Sequence, residues 1–126
     1  MSTPAVSEWR ATILGEPVSK ANSRRIVGRG RFRRVIKSSK AIVWSSYVRQ
    51  QLDAMRPRQP MLVGRVSLTA TLYYRTERPD LDASLLLDLL QGHAYRNDRS
   101  VREQHIYHHI DKLTPRAEVV VWVLPT

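Results

Sequence analysis

The sequence predicts an α+β domain with a mixed sheet of about four strands and two main helices. Residues 65–74 alternate between polar and apolar, which is typical of a strand with one buried and one wet face. Ala117–Leu124 is almost unbroken in its apolar character, which favours a strand inside the sheet. Two further segments have helical patterns, and strands mixed with helices indicate an α+β fold. The length of 126 residues fits one domain, which we expect to span residues 1–126.

The first half of the chain contains one predicted strand and the longer predicted helix. Trp9–Leu14 is predicted to be the first strand, and a loop with Gly15 and Pro17 follows it. A helix is predicted to begin at Ser38 or Ser39, either of which can cap it, and to run to about Met55. Its apolar side chains recur at three- and four-residue spacing and should form one buried stripe of Ala41, Trp44, Val48, Leu52 and Met55.

The second half contains a short helix between predicted strands. Ser84–Gln91 is predicted to be helical, with Asp82 or Ser84 near its cap and Gly92 stopping it. Residues 101–110 fit a strand or a helix, and we favour a strand in the second half of this segment. Five leucines cover nearly every face of the short helix, so a second copy of the chain is expected to help bury them. These are Leu85, Leu86, Leu87, Leu89 and Leu90.

The charge balance predicts a polyanionic partner. The chain has 21 Lys and Arg against 11 Asp and Glu, a net charge of +10, and its pI is near 10.8. Nucleic acid is the partner that best fits such a charge. The absence of cysteine excludes a thiol nucleophile and any Cys-ligated metal. No apolar run approaches the ~20 residues of a membrane span, and residues 1–10 lack a signal-peptide pattern. We therefore expect a cytosolic protein without a membrane partner.

The basic residues are concentrated between positions 20 and 40, where no acid occurs. Apolar residues interrupt the run and Gly28–Gly30 can turn the chain, which predicts a basic β-hairpin or a long basic loop. A solvated surface arm is the plainer alternative. Guanidinium groups here would contact phosphates, and Phe32 would either stack on exposed bases or pack on the domain. The residues assigned to DNA contact are Lys20, Arg24, Arg25, Arg29, Arg31, Phe32, Arg33, Arg34 and Lys37. Tyr95 is a second candidate for base contact.

Three aspartates stand out in this basic chain. Asp80 and Asp82 are two residues apart after the best strand, so in an extended segment they project to the same side. Asp98 lies in a loop that can return to the same place. Carboxylates brought together repel unless a cation lies between them, and Mg²⁺ prefers oxygen ligands and phosphate. Turn, cap and loop roles are the structural alternatives for these three residues. Asp88, on the predicted helix, is placed outside the set of ligands.

Three segments resemble the RusA-type Holliday-junction resolvases, the crossover junction endodeoxyribonucleases of phages and prophages. They are Arg78-Pro79-Asp80-Leu81-Asp82, Leu87-Asp88-Leu89-Leu90-Gln91-Gly92 and Ala94-Tyr95-Arg96-Asn97-Asp98. The segment Gly15-Glu16-Pro17-Val18-Ser19-Lys20 also fits this family. The resemblance implies that Asp80, Asp82 and Asp98 are catalytic and bind Mg²⁺, with Mn²⁺ as an alternative. It also implies a homodimer that resolves four-way DNA junctions in recombination and repair, without a small-molecule cofactor.

The sequence departs from the family pattern after the second aspartate. Ala83–Leu86 contains no basic residue where the family usually has a lysine. Arg78 or Arg99 could replace it, or the chain could bind junctions without cutting them efficiently. A catalytically impaired junction-binding protein therefore stays open as a second hypothesis. A third is an RNA-binding module, in which the basic segment acts and the aspartates do not.

Overall fold

A computed structural model of the chain describes residues 7–18, 24–27, 34–37, 39–77 and 83–125. The main sheet contains β1 (Glu8–Leu14), β4 (Val66–Tyr74), β5 (Val101–Ile110) and β6 (Arg116–Val123). The helices are α1 (Ser39–Ala54) and α2 (Ser84–Leu90). A separate pair of strands is formed by β2 (Arg24–Val27) and β3 (Arg34–Lys37). The predicted α+β class, with a mixed four-stranded sheet and two helices, is confirmed.

The main sheet has the strand order β1-β6-β4-β5. The apolar strand β6 lies inside it, as predicted, and runs antiparallel to both β1 and β4. Strand β5 is parallel to β4. Parallel neighbours need a long crossover connection, and the segment that contains α2 supplies it. This connection positions the candidate site, because its last residues lead through Asp98 into β5.

The basic segment contains the two antiparallel strands of a hairpin, which is one of the two predicted forms. Arg24 lies opposite Lys37, and Val27 lies opposite Arg34. The proposed turn at Gly28–Gly30 lies outside the described residues. The pairing indicates that this basic segment has a regular backbone on both of its described stretches.

The core confirms most of the predicted packing. Ala41, Trp44, Val48 and Leu52 on α1 are buried, and Met55 packs against them partly buried. Removing one such aliphatic side chain from water stabilises the fold by about 1.5–3 kcal/mol. The strands contribute alternate residues to the same cluster, which on β4 are Val66, Leu68, Ala70, Leu72 and Tyr74. In the part of the chain that the structure describes, neither helix is long and apolar enough to cross a membrane.

Two local predictions were wrong. Strand β5 spans Val101–Ile110 in full rather than its second half alone. The second face of β4 is half-buried rather than wet, and its Ser67 is fully buried. Ser84 lies next to the cap of α2, as predicted, and the cap position itself belongs to Ala83, which provides no side-chain hydrogen bond. Asp82, the other predicted cap, lies outside the described residues.

The leucine helix is buried without a second copy of the chain. Leu86, Leu87, Leu89 and Leu90 are each at most 7% exposed within the monomer, and Leu85 is partly buried against the same core. The argument that a partner is needed to cover these leucines is therefore wrong. The homodimer stays a prediction that depends on the family resemblance.

Candidate functional site

Asp98 lies on a short turn that its neighbours hold in place. It opens a 3₁₀ turn, Asp98–Ser100, which leads directly into β5. Asn97 precedes the turn, and its Oδ1 accepts the Arg99 N–H at 2.9 Å. The Asn97 carbonyl also accepts the Ser100 N–H at 3.0 Å. Asparagine is favoured in such turns because its side chain bonds backbone two residues ahead. The Asp98 carboxylate is exposed at the surface.

Gln91 connects this turn to α2. It follows the helix in extended conformation, and its Oε1 accepts the Asp98 N–H at 2.9 Å. Its Nε2 donates to the Asp88 carbonyl at 3.3 Å. Gly92 then adopts φ of +85°, a conformation that side chains with a Cβ rarely adopt, and its N–H donates to the Tyr95 carbonyl at 2.7 Å. The chain thereby returns beside the helix end within a few residues.

Tyr95 anchors the loop from beneath. Its ring is fully buried, and its hydroxyl donates to the Leu87 carbonyl at 2.7 Å. The last carbonyls of a helix lack partners within the helix, so this hydrogen bond also caps α2. Burial raises the pKa of the Tyr95 hydroxyl, and the charges of Asp98 and Asp88 raise it further. The expectation that Tyr95 contacts exposed bases is wrong, because the ring belongs to the core.

Asp88 is the acidic residue that sequence reasoning placed outside the site. It is exposed on α2, and its charge acts on the same Tyr95 hydroxyl as the charge of Asp98. The helical position of Asp88 was evident from the sequence. The missing information was that the loop returns Asp98 to the end of the same helix. Gln91 bonds both the Asp98 N–H and the Asp88 carbonyl, so the described structure brings the backbones of these two residues close together.

Asp80 and Asp82 lie in residues 78–82, outside the described residues, so their approach to Asp98 stays a prediction. The structure does describe both flanks of that segment. Before it, Glu16 Oε2 accepts the Arg75 N–H at 2.8 Å, just after β4 ends. After it, Ala83 is buried and its carbonyl accepts the Leu87 N–H at 2.9 Å. The described chain thus stops just after β4 and resumes at the start of α2, whereas Asp98 is bonded near the end of that helix.

The oxygen donors of this region fit a hard divalent cation. The described ranges contain no group of three or more His, Cys, Asp or Glu side chains that could hold a metal ion. Asp98 provides one exposed carboxylate, and further carboxylates of the predicted set belong to residues 78–82. Mg²⁺ binds through few carboxylates and keeps several waters, so a set of carboxylates completed by water suits it. A thiolate-ligated metal site is excluded because the chain has no cysteine.

The structure describes the backbone of four of the nine residues assigned to DNA contact. The backbones of Arg24, Arg25, Arg34 and Lys37 lie on the paired strands β2 and β3. The remaining residues of the set lie outside the described residues: Lys20, Arg29, Arg31, Phe32 and Arg33. Their contact with phosphate, and the role of Phe32, stay predictions.

The comparison with protein families identifies the chain. The family model of endodeoxyribonuclease RusA matches residues 15–122. This match covers most of the 126 residues and includes both the basic hairpin and the Asp98 turn. The chain therefore belongs to the RusA endodeoxyribonuclease family, and the resemblance inferred from its motifs is confirmed. A search of curated proteins gives no match to this chain.

Proposed function

We propose that this protein is a Mg²⁺-dependent, structure-selective endonuclease that resolves four-way DNA junctions in recombination and repair. The observation that carries the proposal is the Asp98 turn, which is fixed by Gln91 and Tyr95 within a chain of the RusA family. Gln91 bonds the backbone N–H of Asp98 and so holds in place the turn that carries this carboxylate. The strong positive charge supports a nucleic-acid substrate. The cytosolic location stays a prediction from the sequence.

Asp98, together with Asp80 and Asp82, would hold the ion through carboxylate oxygens. When bound, Mg²⁺ would activate a water molecule, and its positive charge would stabilise the leaving oxygen. The protein's own part is to hold the carboxylates and to bind the DNA backbone near them. The β2–β3 hairpin is proposed to bind phosphates, which positions DNA without reading its sequence. A homodimer would present two such sites, and a two-fold enzyme matches the symmetry of strands related across a junction.

A second candidate is a junction-binding protein with little catalytic power. The observation that favours it is the apolar start of α2, where Ala83 is buried and Ser84, Leu85 and Leu86 provide no cation. The family lysine would lie in this region. Arg99, which flanks Asp98 on the 3₁₀ turn, is the described cation that best replaces it.

One experiment separates these functions. A labelled four-way junction is incubated with wild-type protein and with Asp98→Asn, with and without Mg²⁺, and binding is measured in parallel. Cleavage by wild type alone, with binding retained by the variant, supports the nuclease. Glu8→Gln is the matched control, because Glu8 is exposed on β1, the edge strand of the main sheet opposite β5. Binding without cleavage in any metal supports the impaired binder, and stronger competition by single-stranded RNA than by junction DNA supports the RNA-binding module.

A further inference from the structure

A second group of basic residues lies close to Asp98 in the sequence and at the same end of the main sheet. Arg96, Arg99 and Arg102 lie within four residues of it, and all three are exposed. Arg65 is exposed at the same end of the sheet, because the next residue, Val66, pairs with Val101. The Arg65 carbonyl accepts the Leu124 N–H at 2.8 Å, which holds this position in place. We call Arg65, Arg96, Arg99 and Arg102 the turn arginines.

Among the described residues the turn arginines have no acidic partner, as is also true of Arg49, Arg56, Arg58 and Arg75, whereas Arg10 and Arg116 each have at least one. On the far edge strand, Arg10 bonds Glu8 at 3.0 Å, and on β6 Arg116 bonds Asp111 at 2.8 Å. Within the described part of the chain, no ion pair links any turn arginine to a carboxylate. The carboxylate of the nearby Glu103 faces His105 and not a turn arginine, with 3.8 Å between Glu103 Oε1 and His105 Nε2. Four guanidinium groups are therefore available to bind an external anion, and each can bond a phosphate through two parallel hydrogen bonds.

The backbone of β5 is irregular at one of these residues. Val101 pairs with Val66, but Glu103 pairs with the next residue, Ser67, so Arg102 is an extra residue in β5. Such bulges bend the strand, and they are over-represented beside active sites, where they redirect a side chain. The irregularity thus lies next to the turn that carries Asp98 and falls on an arginine.

We propose that the turn arginines form a phosphate-binding surface that holds the DNA backbone beside Asp98. The proposal rests on the proposed nuclease function and adds a second DNA contact, separate from the β2–β3 hairpin. Its ligand class is the phosphodiester backbone, which receives most protein–DNA hydrogen bonds and carries no sequence information. The position of these charges in the chain also serves the chemistry. A carboxylate repels phosphate, and cations that precede and follow Asp98 in the chain would offset this repulsion when a phosphate approaches.

The test compares the salt dependence of DNA binding in two double variants. Arg96→Gln with Arg99→Gln removes two charges that flank Asp98, and Arg10→Gln with Arg49→Gln removes two exposed charges elsewhere. Binding to a four-way junction is measured without divalent metal from 50 to 200 mM salt. Each lost phosphate contact reduces the slope of log affinity against log salt by about 0.9. We expect the first variant to lose roughly 1.8 of slope for two contacts, and the control to lose clearly less.

Each outcome decides one question. Equal slopes in the two variants, or a slope unchanged from wild type, would overturn the phosphate-binding surface even if the wild type cuts junctions. A reduced slope in a protein that binds but never cuts would support the surface and contradict the nuclease. No junction binding by the wild type would overturn both. Arg102→Gln is a second variant, and circular dichroism verifies that each variant is folded. Arg96→Lys with Arg99→Lys should retain the wild-type slope, because lysine keeps the charge.

Discussion

Removing the Tyr95 hydroxyl should destabilise the protein at the candidate site. The hydroxyl is buried and donates to the Leu87 carbonyl at 2.7 Å, near the end of α2. Tyr95→Phe keeps the ring and its packing, so the change tests this one hydrogen bond. It also leaves a buried carbonyl without that donor, which costs more than the bond itself contributes.

The size of the effect follows from the burial of both partners. A buried acceptor that loses its donor costs about 1–3 kcal/mol. For a chain of 126 residues, the unfolding entropy of about 2.1 cal/mol/K per residue implies roughly 4 °C of Tm per kcal/mol. We therefore expect Tyr95→Phe to lower the free energy of unfolding by about 1–3 kcal/mol and Tm by roughly 4–11 °C.

Equilibrium unfolding in urea and thermal melting measure this loss. Tyr107→Phe is the matched control, because the Tyr107 side chain is 52% exposed on β5, and such a surface change usually lies within about 0.5 kcal/mol. A Tyr95→Phe variant as stable as the Tyr107→Phe control would refute the assignment of this hydrogen bond as the anchor of the loop.

Four further predictions concern the site and its surroundings. Burial raises the pKa of Tyr95 above the unfolded value of about 10. The free energy of unfolding should therefore fall as pH rises above about 10, and it should fall less in Tyr95→Phe. Denaturant unfolding of both proteins over a pH range of about 8–11 measures this difference. Gln91→Ala removes the acceptor for the Asp98 N–H and should raise the Mg²⁺ concentration needed for half-maximal cleavage about 10-fold or more. Gln51→Ala is the control, because it loses analogous bonds to the Leu14 backbone and should leave this Mg²⁺ concentration unchanged. Asp88→Asn should retain more cleavage than Asp98→Asn in the junction assay, since Asp88 is not a predicted ligand. The Thr114 N–H, and after it Arg116, lower the pKa of Asp111. The wild type should therefore be more stable than Asp111→Asn above pH 3.8, the ordinary pKa of aspartate, and this difference should disappear in acid. The free energy of unfolding, measured for both proteins as a function of pH, checks this.

The sequence predicted those elements whose burial follows a regular period. The apolar stripe of α1 and the apolar strand β6 appear in the sequence because each faces the core. Strand β5 was only half recognised, since it is an edge strand whose residues are exposed or half-buried throughout. Its pairing with β4 depends on backbone hydrogen bonds, which leave no apolar period in the side chains.

The hydrogen bonds that build the site could not be predicted from the sequence, because they also leave no periodic pattern in it. Gln51 and Gln59 bond backbone groups of β1 that are 37 and 49 residues away, and Gln91 bonds the Asp98 turn. A glutamine in such a role resembles any surface glutamine in sequence. Tyr95 was misassigned for the same reason, because an aromatic residue beside arginines in a basic protein fits base stacking as well as it fits a buried anchor.

The leucine helix shows how the anchor and the site depend on each other. The sequence suggested that α2 needs a partner chain, yet the monomer buries four of its five leucines. It does so partly because Tyr95 and Ala94 fold back against the end of α2, where Ala94 and His93 donate their N–H groups to the Leu90 carbonyl at 3.0 Å each. The same return places Asp98 within hydrogen-bonding reach of Gln91. Burial of the helix and positioning of the carboxylate are thus one structural event, so a variant that loosens the loop should lose stability and metal affinity together. Loss of one without the other would show that the Asp98 turn is held by contacts other than those of Tyr95 and Gln91.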